Sequence, residues 1–171
     1  MVKWFGAMLV TAACGAAGLG FAAATRTALR QLAAWVTALE CLDSEVRCRM
    51  TPLPEVFAQL VQSGERAVSA FFAACAETMQ RDRALGVPLV FRQALEQTRG
   101  LELSSQTRQT LLNLSVSLGR FDLEGQSRAI ALAVDRLRQE QRALQAGAAA
   151  RCRSYETIGV CAGLALAVIL W

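Results

Sequence analysis

The chain begins and ends with a long run of uncharged residues, and this feature constrains its fold most. Residues 4–25 contain no charged side chain, and neither do the last 15 residues, 157–171. The 131 residues between these runs, 26–156, carry 17 of the 18 basic residues and all 14 acidic ones. A segment of that length supports one hydrophobic core, so we predict one domain between two apolar ends.

The first run is long enough to cross a bilayer, because a membrane helix needs about 20 apolar residues. Trp4 at one edge and Arg26 at the other suit the membrane interface. A cleavable signal peptide is the alternative reading, with Lys3 as its basic region and Ala22 to Ala24 as its cleavage site. We favour a retained membrane helix over residues 4–25, since the run exceeds the apolar core of a normal signal peptide.

The second run, 157–171, is the weaker of the two predicted membrane helices. Fifteen residues rise only about 22 Å as a helix, whereas the hydrocarbon core is roughly 30 Å thick. Gly159 and Gly163 form a GxxxG motif, and Gly15 with Gly18 offers a matching face in the first run. An Ala/Gly-rich composition alone explains the same glycines, so packing between the two helices is one of two open alternatives.

Arginines decide the predicted orientation in the membrane. Within about 20 residues of the two runs, the middle segment has six arginines, while the opposite side has only Lys3 and the α-amine. These six are Arg26, Arg30, Arg138, Arg142, Arg151 and Arg153. The positive-inside rule therefore predicts a cytoplasmic domain with both termini outside.

The middle segment, 26–156, has apolar residues at helical spacing and no sustained alternation of period two. We predict an all-α fold: a six-helix bundle flanked by an N-terminal and a C-terminal transmembrane helix. The first helix is expected to continue from the first run to Thr51, with an apolar face of Leu29, Leu32, Val36, Leu39, Leu42, Val46 and Met50. The others are expected from Pro54 to Gly64, over 65–80 and 89–98, from Ser104 or Ser105 to Gly119, and from an Asp122 cap into the second run.

Composition argues against an enzyme. The chain has no histidine, which excludes Ser-His-Asp and Cys-His sites and every metal site that uses histidine. We find no phosphate-binding loop, no nucleophile elbow and no metal-ligand pattern, and we predict no cofactor.

Acids alternate with arginines, with four acid-before-base pairs at i, i+4, so a solvated helix surface is favoured over a nucleic-acid surface. Cys41 and Cys48, too far apart on a helix for a disulfide, are predicted to be small buried hydrophobes.

Two short motifs separate the predicted helices. Thr51-Pro52-Leu53-Pro54-Glu55 follows the first helix, and its two prolines restrict the turn while Leu53 points towards the core. Leu118-Gly119-Arg120-Phe121-Asp122-Leu123-Glu124-Gly125-Gln126 precedes the last helix, where Gly119 suits a left-handed helix end and Asp122 an N-cap. Each motif is either a fold signature or an exposed docking surface. The candidate docking residues are Thr51, Pro52, Leu53, Pro54, Glu55, Leu118, Gly119, Asp122 and Gln126.

Both motifs, in this order between two terminal apolar runs, resemble the stage III sporulation protein AB family. That family is similar to the cytoplasmic domain of type II secretion F proteins. The resemblance implies a platform or scaffold subunit of the secretion-like channel complex between mother cell and forespore, in the mother-cell membrane facing the forespore. It implies as partners the other stage III sporulation proteins, including an AA-type secretion ATPase, and the lipid bilayer, with homo-oligomerisation left open and no nucleic acid. The alternative is a membrane-anchored helical sensor or adaptor unrelated to sporulation, which the short, proline-broken helices oppose.

Overall fold

The computed structural model describes the backbone of residues 2–49, 52–62, 64–82, 84–119 and 123–170, and the side chains of 23–47, 52–62, 64–82, 84–119 and 123–147. In these residues it contains six α-helices and no strand, which confirms the predicted all-α class. The helices are α1 (Val2–Arg49), α2 (Leu53–Leu60), α3 (Arg66–Arg81), α4 (Val87–Gln97), α5 (Ser105–Leu118) and α6 (Leu123–Leu170).

The chain divides into two compact units. One comprises Met1–Arg26 with Arg142–Trp171, and the other, here called the helical unit, comprises Thr27–Gln141. The runs 4–25 and 157–171 belong to the first unit, and apart from residues 23–25 their side chains lie outside the described residues. Among the residues whose side chains are described, no helix has an apolar stretch long enough to cross a membrane. The two membrane helices therefore stay a prediction.

Aromatic side chains form the centre of the helical unit. Phe71 lies edge-on to Trp35 with ring centroids 4.8 Å apart, and edge-on to Phe91 at 5.2 Å. Phe57 and Phe72 complete this fully buried cluster, which joins α1, α2, α3 and α4. Edge-to-face pairs of this kind stabilise a core by about 0.5–1.5 kcal/mol each beyond the area they bury.

Apolar residues at helical spacing are largely buried in the helical unit, as the all-α prediction requires. In α2 to α6 the buried residues include Val56, Phe57, Leu60, Val68, Phe71, Phe72, Cys75, Phe91, Ala94, Leu95, Leu111, Leu114, Leu118, Ile130, Val134 and Leu137. The predicted face of α1 missed Trp35, which is 0% exposed, although it lies three residues after the buried Leu32. Three-residue spacing puts both side chains on one helix face, so the same periodicity includes Trp35.

Helix α4 begins earlier than predicted. It starts at Val87, with Gly86 as N-cap and Pro88 as its second residue, and not at Leu89. The helix includes Pro88 because a proline in the first turn of a helix loses no intrahelical hydrogen bond, and its fixed φ suits that position.

Cys41 is exposed, so its predicted burial is wrong. Thr37, Glu40 and Ser44 are exposed as well, and these residues follow the i, i+3, i+4, i+7 spacing of one outward face of α1. The side chain of Cys48 lies outside the described residues.

Polar contacts align α1 with α6. Ser127 is 2% exposed; its hydroxyl donates to the carboxylate of Asp43 and accepts a 2.6 Å hydrogen bond from Arg47 Nε. Further along, Arg138 pairs with Glu40. The later residues of α1, Asp43 and Arg47, contact the start of α6, whereas the earlier Glu40 contacts a later residue of α6. The two helices are therefore antiparallel within the helical unit. Thr27 and Gln141, where the chain passes to the other unit, therefore lie at the same end of the helical unit.

Three of the four predicted i, i+4 ion pairs are present. Arg47 Nε lies 3.2 Å from the Asp43 carboxylate, Arg81 pairs with Glu77 at 2.7 Å, and Arg128 pairs with Glu124. The fourth pair involves Arg49, whose side chain lies outside the described residues.

Candidate functional site

The first motif starts α2. Pro52 is the N-cap, with φ −58° and ψ 136°, and Pro54 is the second helical residue. The carbonyl oxygen of Pro52 accepts the backbone N–H groups of Glu55, at 2.9 Å, and Val56, at 3.2 Å. Leu53 is half-buried between the prolines, and Thr51 lies outside the described residues. The prolines therefore fix the direction of α2 without any side-chain cap.

The same residues line an open groove. Its volume is about 710 Å³, and its lining residues are Pro52, Pro54, Glu55, Met79, Gln80, Asp82 and Leu85. The rim residues are exposed, while Pro54, Met79 and Leu85 are half-buried and form an apolar floor. We call this the α2–α3 groove, because it lies between the start of α2 and the end of α3. The first motif thus contributes to a surface cleft as well as to a turn.

Two carboxylates lie among the described residues that line the groove. Glu55 in the first turn of α2 and Asp82 at the C-cap of α3 are both exposed, and neither has an ion-pair partner among the described residues. Asp82 accepts a 3.0 Å hydrogen bond from the backbone N–H of Ala84, which holds its carboxylate in the turn. The adjacent Arg81 is paired with Glu77. The carbonyl groups at the end of α3 add partial negative charge.

The second motif joins α5 to α6, and one of its predicted features is wrong. Gly119 has φ −93° and ψ −9°, so it does not adopt the left-handed conformation. A left-handed glycine would let backbone N–H groups bond the last carbonyls of the helix. Gln126 Nε2 donates a 3.1 Å hydrogen bond to Leu118 O, the last carbonyl of α5. Asp122, the predicted N-cap of α6, lies outside the described residues.

Both motifs meet the connection between α3 and α4. A β-carbon added at Gly119 would lie 3.8 Å from Val87 Cβ and 3.9 Å from Pro88 Cδ, at the start of α4. Leu85, two residues earlier, lines the α2–α3 groove. The structure therefore brings the two sequence motifs to one end of the helical unit, here called the motif end. From Thr27 to Arg49, α1 rises about 33 Å, so the motif end is opposite the end with Thr27 and Gln141.

The family model for stage III sporulation protein AB matches residues 3–171, which is nearly the whole chain. The chain belongs to the stage III sporulation protein AB family.

A solved structure of a stage III sporulation protein AB has the same fold as this member of the family. The TM-score is 0.65 at 22% sequence identity, and the match covers 70% of this chain and 94% of that one. A search of curated proteins found no match. The predicted family is therefore confirmed, and membership of the stage III sporulation protein AB family assigns the chain a role in sporulation.

Four of the seven residues that line the groove of this stage III sporulation protein AB chain were not among the predicted docking residues. Met79, Gln80 and Asp82 end α3, and Leu85 follows in the loop, about 25 residues or more after the TPLPE motif. No local pattern links these positions to the motif, because only the packing of α2 against α3 brings them together. The local sequence shows only that Asp82 is followed by Gly86 and Pro88, which indicate a turn after α3.

The remaining predicted site residues of the stage III sporulation protein AB chain belong to the two uncharged runs. Gly15, Gly18, Gly159 and Gly163 lie in α1 and α6, and their packing falls outside the residues whose side chains are described. Among the described residues, no three His, Cys, Asp or Glu side chains are close enough to hold a metal ion. Burial raises the pKa of the Cys75 thiol well above its usual range, which disfavours a reactive thiolate there.

Proposed function

We propose that the chain is a membrane platform subunit of the secretion-like channel complex between mother cell and forespore in endospore formation. Its helical unit docks a cytoplasmic secretion ATPase and neighbouring membrane subunits, and it has no catalytic role. Family membership supports the sporulation role. The observation that carries the docking role is the position of both motifs at one end of the helical unit, where Pro52, Pro54 and Glu55 line an open groove.

The proposed anchoring uses the two uncharged runs. Residues 4–25 and 157–171 form membrane helices, packed through their glycines, with the helical unit in the cytoplasm and both termini outside. Thr27 and Gln141, where the chain leaves the helical unit, lie at the end of that unit opposite the motif end, and the proposed docking uses the motif end. The arginines beside the runs favour this topology. An alkaline phosphatase fused to the C-terminus should be active, and an inactive fusion contradicts the topology.

Affinity capture tests the docking role. The full-length chain, extracted in a non-ionic detergent from sporulating cells, should retain the stage III secretion ATPase, and a strain without the chain should stop sporulating at stage III. Recovery of a small ligand without any secretion ATPase would instead support a membrane-anchored sensor. Normal sporulation of the deletion strain would contradict the platform role.

A further inference from the structure

We infer that the α2–α3 groove binds a cationic amphipathic segment of the partner protein, in which Lys or Arg residues flank an apolar side chain. This inference rests on the proposed function for the identity of the partner, the secretion ATPase. It adds which surface is used and which chemistry that surface recognises.

The charges of the groove point to a cation. Glu55 and Asp82 both line the groove, one in the first turn of α2 and the other at the C-cap of α3, without an ion-pair partner among the described residues. Arg81, next to Asp82 in the chain, is paired with Glu77 at 2.7 Å. Complementary charge across an interface speeds association and selects the partner. An acidic peptide or an anionic lipid headgroup meets two carboxylates here and is repelled.

The two helix termini strengthen this preference. The N-terminus of an α-helix ordinarily attracts anions through its free N–H groups. In α2, Pro54 has no N–H, and the N–H groups of Glu55 and Val56 already bond to Pro52 O. The first turn of α2 therefore offers few donors to an anion. The C-terminus of α3, at Gln80 and Arg81, presents carbonyl oxygens, which favour a cation.

The floor of the groove explains the apolar part of the ligand. Met79 and Leu85 are half-buried, and Pro54 is half-buried beside them, so an apolar side chain entering the groove covers their exposed faces. Methionine adapts readily to side chains of different shape. An apolar floor between two carboxylates matches a helix that carries an apolar stripe with cations on either side.

Gln80 allows the inference to be tested without removing any contact. It is exposed on the rim of the groove, so Gln80→Lys and Gln80→Glu change the charge there with little effect on folding. The matched controls are Gln109→Lys and Gln109→Glu on the exposed surface of α5. The probes are a fluorescent amphipathic peptide with lysines flanking leucines, and its twin with glutamates in place of the lysines. Binding to the full-length chain in non-ionic detergent is measured by fluorescence anisotropy.

We expect the lysine peptide to bind and the glutamate peptide not to bind. Gln80→Lys should weaken the lysine peptide by up to about fivefold, Gln80→Glu should strengthen it by a similar factor, and the Gln109 variants should leave it unchanged. Binding should weaken as salt is raised. Equal binding of the two peptides, or equal effects at positions 80 and 109, would overturn the inference.

Two further outcomes separate this inference from the proposed function. In the first outcome, wild type and Gln80→Lys capture the ATPase equally, while the peptides follow the expected order. The groove then has the inferred charge preference but is not the ATPase site, and the inference about the partner fails. If Gln80→Lys loses the ATPase while both peptides bind equally, docking stands and the cationic preference is overturned. A wild-type oligomer that Gln80→Lys dissociates would make a second copy the occupant and would also overturn the inference.

Discussion

Gln31 on α1 donates a hydrogen bond from Nε2 to the carbonyl oxygen of Gly100, 2.7 Å away and 69 residues later in the chain. Its Oε1 accepts the backbone N–H of Glu102 at 2.8 Å, and the side chain is 1% exposed. One buried amide therefore satisfies both sides of the loop between α4 and α5, where Gly100 has a φ of +83°. This contact holds the loop against the first helix.

Replacing Gln31 should destabilise the helical unit. Gln31→Ala removes the buried side chain and both of its part-buried hydrogen bonds, to Gly100 O and from the Glu102 N–H, each worth about 0.5–1.5 kcal/mol. We expect a lower midpoint of denaturant unfolding for the full-length chain, followed by circular dichroism in detergent. Gln109→Ala, at an exposed site on α5, should leave the midpoint unchanged. An unchanged midpoint for Gln31→Ala would contradict the structural role of this amide.

The aromatic cluster should be the most sensitive part of the core. Phe71 contacts Trp35, Phe72 and Phe91, with ring centroids 4.8–5.2 Å apart. Phe71→Ala should cost about 3–5 kcal/mol, a large part of the 5–15 kcal/mol typical of a whole domain. Thermal unfolding of the full-length chain measures the loss. Leu89→Ala, at a side chain that is 50% exposed, is the control and should change the melting temperature little.

Gln126 should act as the cap of α5. Gln126→Ala removes the hydrogen bond to Leu118 O and should lower the free energy of unfolding by about 1 kcal/mol. Gln126→Glu should cost more, because a carboxylate oxygen then faces the carbonyl oxygen of Leu118. Equilibrium denaturation compares both variants with Gln93→Ala, at an exposed position on α4. Equal stability of all three variants would show that Gln126 has no capping role.

Two cysteines should react very differently with iodoacetamide. Cys41 is exposed on α1, whereas Cys75 is buried and its pKa is raised above the usual range by burial. Only the thiolate reacts, so alkylation followed by peptide mapping should label Cys41 and leave Cys75 unmodified until the protein unfolds. The folded state favours the neutral thiol of Cys75, and this preference contributes to the free energy of unfolding. The contribution is complete below the thiol's unfolded pKa, about 8.5, and is lost as pH rises towards the folded value. Rapid labelling of native Cys75 would contradict its burial.

The sequence predicts the helices well and the groove poorly, for a physical reason. The faces of α3 and α4 follow from the spacing of Phe71, Phe72 and Phe91, because helical periodicity is a local property of the chain. The groove depends on how α2 packs against α3, which no local pattern records. Gln31 was missed for the same reason, since a glutamine in an apolar stripe is buried only when distant backbone groups bond to it.

Gly119 shows how a tertiary contact overrides a local rule. Glycine at a helix end usually predicts the left-handed conformation. Gly119 stays in the right-handed region with φ −93°, and the side-chain amide of Gln126, eight residues after Leu118, bonds the last carbonyl of α5. The family resemblance found both motifs, but only the structure shows that they meet at one end of the helical unit.

Photocrosslinking in sporulating cells tests the platform account most directly. A photoreactive amino acid is placed at position 80, on the rim of the α2–α3 groove, and in a matched strain at position 109, on the exposed surface of α5. The account predicts a crosslink to the stage III secretion ATPase from position 80 and none from position 109. No crosslink from position 80, or equal crosslinks from both positions, would contradict docking at the motif end.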